Sequence, residues 1–177
     1  GVLALGQHLY NSRPTASIYV DNSAEVLDQN KTVYLTNYKM GGMPQSAFSV
    51  GLRYSGKKYW FAGINFNYFM ELYLDPNPDR RTAEAVDGFV TDDPQWNETL
   101  DQTKLENGYN MSLFAGKSFK ISNYFLNINV NINNLTNNKN FVTGGFEQLR
   151  YDPQNIGKFP PRVGYLYGLN YFIMATL

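Results

Sequence analysis

A strict two-residue alternation constrains the fold of this chain more than any other feature. Over residues 126–133, four aliphatic side chains alternate with four asparagines. Because successive side chains of a β-strand point to opposite faces, the pattern predicts a strand with one apolar face and one amide face. Neither face carries a charge, so we expect the asparagines to face a confined, watery space rather than open solvent.

The same period recurs along the chain and predicts an all-β fold. In most of the alternating segments the second face is small, polar or rich in glycine, and the two segments nearest the start show the weakest pattern. We expect all seven segments to pair as antiparallel strands of one contiguous sheet. The predicted strands are residues 1–10, 15–20, 48–54, 60–68, 111–116, 126–133 and 163–175.

The connections between these strands are alternately short and long. Short turns are predicted at 11–14, 55–58 and 121–123, and long loops at 21–45, 75–108 and 134–162. Turns at one end and loops at the other are typical of transmembrane antiparallel β-barrels of the outer membrane, where the turns are periplasmic. The first and last predicted strands then both run toward the turns. Because seven strands would leave two unpaired edges in hydrocarbon, we expect further strands of a larger barrel outside this chain.

Composition narrows the classes of function. The 15 basic and 15 acidic residues cancel, so no nucleic-acid partner is expected. The chain has no cysteine and a single histidine, His8, which leaves no thiolate or histidine metal site and no histidine-containing catalytic triad to predict. No stretch reaches the roughly 18 apolar residues of a transmembrane helix. We therefore expect neither enzymatic activity nor a cofactor.

Several short motifs resemble the barrel of TonB-dependent receptors of the Bacteroidota type, the SusC-like superfamily. The first motifs lie on the third and fourth predicted strands and their connections: PQ at 44–45, GLRY at 51–54, YWFAG at 59–63, NYF at 67–69 and DRRTA at 79–83. NINNL at 131–135 and PR at 161–162 resemble the closing hairpin of TonB-dependent barrels in general. The resemblance covers nearly the whole chain.

The resemblance implies that residues 1–177 are the C-terminal segment of a barrel of about 22 strands closed by an N-terminal plug. The plug, the TonB box and the earlier strands are absent from this chain. The implied function is energy-coupled import of a bulky nutrient (a glycan, peptide or metal chelate) across the outer membrane of a Gram-negative bacterium. The implied partners are outer-membrane lipid, the rest of the barrel and its plug, the TonB system and either a surface lipoprotein or other subunits of an outer-membrane complex. A structural or scaffold role in a larger outer-membrane complex is the alternative.

Three groups of residues are candidates for function. The lumen-facing group is Arg53, Asn65, Asn67, Asn127, Asn129, Asn131, Asn133 and Asn170. The aromatic girdles at the two membrane edges are Tyr54, Trp60, Tyr124 and Tyr171 at the turn end and Tyr68, Tyr109, Tyr165 and Tyr167 at the loop end. Extracellular recognition is assigned to loop aromatics, namely Phe89, Trp96, Phe141, Phe146 and Tyr151.

Each group has an alternative interpretation. The asparagines either bond to a plug and to lumen water or line a path for a polar solute, the girdle aromatics could fill a soluble core, and the loop aromatics could pack against neighbouring loops. Asp75, Asn77 and Asp79 have the spacing of a calcium loop, but two prolines interrupt it and Arg80 replaces the required glycine, so a stiffened loop base is favoured over a metal site. We expect Arg80 and Arg81 to pair with acidic residues of their own loop.

Overall fold

The computed structural model of the protein describes residues 1–20 and 22–177, and Asp21, which opens the predicted loop 21–45, lies outside them. The described chain is mostly β-structure, with one short helix, α1 (Pro94–Leu100), and three 3-10 turns at Asp79–Arg81, Glu84–Val86 and Ile156–Lys158. None of its helices is long and apolar enough to cross a membrane. The strands are β1 (Val2–Leu5), β2 (Thr15–Tyr19), β3 (Val26–Thr32), β4 (Ser46–Gly56), β5 (Trp60–Met70), β6 (Gly108–Ile121), β7 (Tyr124–Asn133), β8 (Val142–Phe146), β9 (Arg162–Tyr165) and β10 (Asn170–Thr176).

The main sheet contains six antiparallel strands in the order β1-β4-β5-β6-β7-β10, and in the described chain it remains open rather than closing into a barrel. The long alternating segments form its centre, where β4 and β5 pair over their full length. The remaining four strands make two separate hairpins, β2-β3 and β8-β9. An all-β, antiparallel architecture is therefore confirmed.

The prediction of seven strands in one sheet is wrong at its first turn. Residues 11–14 do not turn, because the chain runs on beside residues 33–38, with hydrogen bonds from Tyr10 N to Tyr38 O (2.9 Å) and from Val33 N to Pro14 O (2.8 Å). The reversal comes later, where Val20 N donates to Glu25 O (2.9 Å). The strand predicted at 15–20 consequently pairs with β3 outside the sheet, and β1 pairs with β4 instead.

The last predicted strand, 163–175, is broken between β9 and β10. Asparagine side chains take over backbone bonding at the break: Asn134 Nδ2 donates to Tyr167 O (2.7 Å) and Asn137 Oδ1 accepts from Leu169 N (3.0 Å). The part before the break pairs with β8, and only the part after it joins the main sheet.

All long connections of the sheet lie at one end. The two tight turns, at 57–59 and 122–123, use residues with positive φ, namely Lys58 (68°), Tyr59 (59°) and Ser122 (53°). Three long segments, 6–45, 71–107 and 134–169, connect the strands at the opposite end. With six strands in strict antiparallel order, β1 runs toward the long loops, opposite to the predicted direction, and β10 runs toward the turns as predicted.

The buried apolar core lies in the long loops and not in the sheet. Every buried apolar residue of the described chain is outside the six strands: Val33, Leu35, Leu72, Leu74, Ala85, Val86 and Phe141. No layer of described residues covers either face of the sheet, and Leu52 and Ile173 are 72% and 59% exposed. The structure thus consists of a compact loop cap at one end of a bare sheet.

Candidate functional site

The strand register gives the sheet two unlike faces. One row of partners across five strands reads Leu52, Ile64, Leu113, Ile132 and Tyr171, all apolar or aromatic. Neighbouring rows on the opposite side pair glycine, serine and asparagine instead. The eight residues predicted to face a lumen all lie on that second face, which we call the polar face: Arg53, Asn65, Asn67, Asn127, Asn129, Asn131, Asn133 and Asn170.

Side-chain bonds across adjacent strands organise part of the polar face. Ser49 Oγ donates to Asn67 Oδ1 (2.8 Å), and Ser118 Oγ donates to Asn127 Oδ1 (2.6 Å). At the loop end Asn133 Nδ2 donates to Asn170 Oδ1 (3.1 Å). Among the described residues, the amide nitrogens of Asn67 and Asn127 donate to no protein group, so this face can bind water, amides or hydroxyls.

An aromatic cluster interrupts the polar face, and sequence reasoning missed it. The Phe61 and Phe114 rings lie 6.2 Å apart, and the Arg53 guanidinium carbon stands 4.2 Å from the centre of the Phe61 ring. The rings occupy space left by glycines: a Cβ on Gly63 would stand 2.3 Å from Phe114, and one on Gly116 would stand 2.5 Å from Phe61. Glycine facing phenylalanine on paired strands is the signal that could have revealed the cluster.

The predicted girdle aromatics take several positions. Tyr54 and Trp60 flank the 57–59 turn on the apolar face with ring centres 5.3 Å apart, and Tyr109 stacks on Phe66 at 5.9 Å near the loop end. Tyr171 differs from expectation, because it pairs with Ile132 at the loop end of β10 rather than near a turn. The others are placed as follows: Tyr68 pairs with Tyr109, Tyr124 closes the β6-β7 turn, Tyr165 ends β9, and Tyr167 lies in the break before β10.

A buried ion pair connects two of the long loops. Arg81, 1% exposed, points both terminal guanidinium nitrogens at the carboxylate of Glu147, 4% exposed, with Nη2 at 2.9 Å from Oε1. Its guanidinium also donates to Asn77 O and Asp101 O and stands 5.1 Å above the Tyr38 ring. The expectation that Arg81 pairs within its own loop is wrong, since its partner comes from the segment 134–169.

Arg80 and Asn77 complete this cluster. Arg80 Nη1 lies 3.4 Å from the same Glu147 oxygen, and its other nitrogens donate to the carbonyls of Glu98 and Thr99. Burial lowers the pKa of Arg80, and the adjacent Arg81 lowers it further against the opposing effect of Glu147. Asn77, fully buried, donates from its backbone N–H to Glu147 Oε2 and from its side-chain Nδ2 to the carbonyls of residues 148 and 149. We call residues 77, 80, 81 and 147 the loop clasp.

The five predicted recognition aromatics divide between packing and exposure. Phe141 is buried and stacks on Phe69, with ring centres 5.7 Å apart and planes 9° from parallel, so it packs as the alternative interpretation of the loop aromatics expects. Phe146 is exposed at the end of β8. Phe89 and Trp96 line a cleft of about 520 Å³, and Tyr151 lines a second cleft of about 430 Å³ beside the loop clasp.

The second cleft is a polar candidate binding site in the loops. Its walls come from both clasped loops and include Arg80, Arg150, Glu98, Tyr151 and Phe159. Burial raises the pKa of the Tyr151 hydroxyl, and nearby Asp79 raises it further, so the tyrosine is a neutral donor at physiological pH. The cleft therefore offers cations, a carboxylate and aromatic surface to a ligand of mixed polarity.

Residues with the spacing of a calcium loop accept hydrogen bonds from backbone groups of the loops instead. Asp75 Oδ1 accepts from Gly41 N (3.0 Å), and Asn77 Oδ1 accepts from Asp79 N (2.8 Å). Burial raises the pKa of Asp79. Among the described residues no three histidines or carboxylates are grouped to hold a metal ion.

No protein-family model, curated protein or solved structure matches this chain. What supports a function is therefore the sheet, the loop cap and the resemblance of the short motifs.

Proposed function

We propose that this chain contributes strands to a transmembrane β-barrel of the outer membrane. The observation that carries the proposal is a bare sheet with one apolar and one polar face. Each large apolar side chain left in water forgoes about 1.5–3 kcal/mol of burial free energy. A sheet with an entire face of such residues needs an apolar surrounding, and lipid supplies one.

Strand length and connectivity support the same environment. The central strands β4, β5, β6 and β7 have 11, 11, 14 and 10 residues, and a tilted strand of about 9–11 residues spans a bilayer. The turns at one end are tight, and the loops at the other end form a compact cap. In this proposal the apolar face contacts lipid, the polar face lines the barrel interior, and the cap is extracellular.

Two single-cysteine variants test the membrane assignment directly. Because the chain lacks cysteine, one introduced thiol can be labelled alone. We would place a spin label at Ile128→Cys or at the adjacent Asn129→Cys in the protein as it is made in its host membrane. The label at 128 should be relaxed mainly by lipid-soluble oxygen and the label at 129 mainly by a water-soluble nickel complex. Equal accessibility of both labels to nickel would refute the assigned faces.

Within this class we propose energy-coupled import of a bulky nutrient, as in the TonB-dependent receptors that the motifs resemble. Asparagines and the Arg53 and Phe61 side chains on the polar face fit a lumen that contacts a plug or a passing solute. A strain lacking this protein should lose growth on one nutrient, and a strain lacking TonB should lose growth on the same nutrient. Normal growth of the first strain on every nutrient that depends on TonB would refute import.

The loop clasp favours a second candidate, a scaffold in an outer-membrane complex. A cap fixed by a buried ion pair presents a constant surface, which suits a permanent partner such as a surface lipoprotein. Under this candidate, a tagged protein should co-purify with its partner in amounts that do not depend on TonB, and replacing the cleft residue Tyr151 with alanine should reduce that recovery. Uptake that fails only when TonB is removed would favour import over scaffold.

A further inference from the structure

The apolar face of the sheet has a depression near the tight turns. Its volume is about 550 Å³, within the range of about 300–1,000 Å³ typical of small-molecule sites. The small side chains of Ala62 and Ala115, which pair across β5 and β6, form its floor. The larger side chains of Trp60, Ile128 and Val130 form its rim. All these side chains lie on the apolar face, so the depression opens toward the proposed lipid side.

One lysine stands at the edge of this depression. Lys117 pairs with Trp60 on one neighbouring strand and with Ile128 on the other, and it is the one charged residue on the apolar face of the six strands. Its ammonium lies 4.8 Å from the centre of the Phe119 ring, on the side nearer the turn. In the described chain, no carboxylate oxygen lies within 4 Å of it.

The depth of Lys117 is that of the membrane edge. Ser118 N donates to Tyr59 O of the 57–59 turn (2.9 Å), which places Lys117 level with the end of the β4-β5 hairpin and with the Trp60 and Tyr54 pair. Tryptophan and tyrosine lie at headgroup level in membrane barrels. A cation at that level next to an apolar depression complements an amphiphile with an anionic head and an acyl tail.

We propose that the depression binds one glycerophospholipid of the leaflet at the turn end, with its phosphate at the Lys117 ammonium and an acyl chain across Ala62 and Ala115. This inference rests on the proposed membrane function. A bound lipid can be told apart from simple extension of the lysine side chain to the membrane edge, because extension needs no depression and retains no particular lipid. It also excludes a protein partner, whose packing would cover the lysine.

Native mass spectrometry of the protein extracted from its membrane in mild detergent tests the proposal. We compare the unmodified protein with Lys117→Gln, which removes the charge, and with Ala115→Leu, which fills the depression. The matched control is Lys120→Gln, three residues further on the same strand but on the polar face. The unmodified protein and the control should retain one phospholipid. Lys117→Gln should carry it in an about fivefold smaller fraction, the effect of one cation near an anionic lipid, and Ala115→Leu should also carry a smaller fraction because the acyl chain loses its space.

Equal lipid retention in all four proteins, or none in the unmodified protein, would overturn the lipid site. A covering second copy or partner protein retained in place of lipid would overturn it as well. Heat-modifiable migration of the same four samples shows whether each variant is folded in the membrane, and the labels at 128 and 129 test the barrel separately. A folded barrel without lipid thus refutes only the site, whereas nickel access at both labels refutes the proposed function.

Discussion

Replacement of Glu147 by glutamine should open the loop cap while leaving the sheet paired. Glutamine keeps the shape of the side chain but removes the charge that faces Arg81 and Arg80. The Arg81 side chain is fully shielded from solvent, so its cation would remain buried without a counter-charge. Arg80 stands 3.4 Å from the same carboxylate oxygen, so the variant also brings two cations together without their shared anion.

The size of this effect follows from the burial of the pair. Removing one partner of a buried ion pair typically costs about 3–5 kcal/mol, because the remaining charge has lost its water and its partner. If the cap opens as a unit, amide hydrogen exchange in the cap should accelerate by about a hundredfold to several thousandfold, since about 1.4 kcal/mol is tenfold in an equilibrium. The backbone N–H of Asn77, which donates to Glu147 Oε2 at 2.9 Å, reports the opening directly.

Hydrogen–deuterium exchange on the folded protein provides the assay. Exchange in peptides spanning 71–83 and 142–149 should accelerate, and exchange in β5 and β6 should stay unchanged. Glu98→Gln is the matched control, because Glu98 is exposed and its carboxylate forms no ion pair among the described residues. The double variant Arg81→Met with Glu147→Leu should recover part of the protection, since an apolar pair can replace a buried ion pair, while Asn77 N–H and Arg80 still lose their acceptor. Unchanged exchange in Glu147→Gln would show that the clasp does not hold the cap.

Three further predictions concern the two faces and the cap. In the proposed barrel, Ile128→Arg should reduce the amount of heat-modifiable barrel, because a cation on the lipid face costs about 2–4 kcal/mol at the midplane and less toward the membrane edge, where Ile128 pairs with Lys117, whereas Asn129→Ser on the other face should be mild. Gly108→Ala should loosen the cap in proteolysis assays, because its Cβ would stand 1.8 Å from the ring of the buried phenylalanine, whereas a Cβ on Gly157 has 3.8 Å and Gly157→Ala should be neutral. Asp79→Asn should protect the cap at pH 7: burial raises the folded pKa of Asp79, so the stability of the native cap is highest below the unfolded pKa of about 3.9 and falls as pH rises toward the folded value.

Each of these predictions has a result that contradicts it. Equal barrel yields for the variants at 128 and 129 would count against the two faces. Identical protease resistance of the two glycine variants would show that the aromatic stack tolerates displacement. Hydrogen exchange in the cap that slows as pH rises from 4 to 7 in the unmodified protein, after correction for intrinsic rates, would reverse the sign expected for Asp79.

The central strands could be predicted from sequence because a period of two leaves little choice. The Leu126–Asn133 alternation fixes which side chains share a face, and the paired register places all the predicted polar residues together. The predictions fail where the local alternation of side chains does not determine which strand is the hydrogen-bonding neighbour. Residues 15–20 alternate like a sheet strand, yet they pair with β3, since hydrogen bonds between 10–14 and 33–38 carry them away from β1.

The loop clasp could not have been predicted from local sequence. Arg81 and Glu147 are 66 residues apart, and closer acidic residues in the same loop offered more obvious partners. Which acidic residue pairs with Arg81 depends on burial, and that burial arises only when the two loops meet above the sheet. Phe141 shows the same limit: nothing in its own segment indicates that it will stack on Phe69 rather than face solvent.

The position of the core in the loops sets an order of events during folding. The bonds of the clasp join residues 66 to 72 positions apart, such as Asn77 Nδ2 to Leu149 O, and the entropy of closing such long loops must be overcome first. Pairing of β5, β6 and β7 shortens that distance by bringing both loops to the same end of the sheet. We therefore expect the cap to close after the strands have paired, and a chain with a slipped strand register would leave the cap open to proteases.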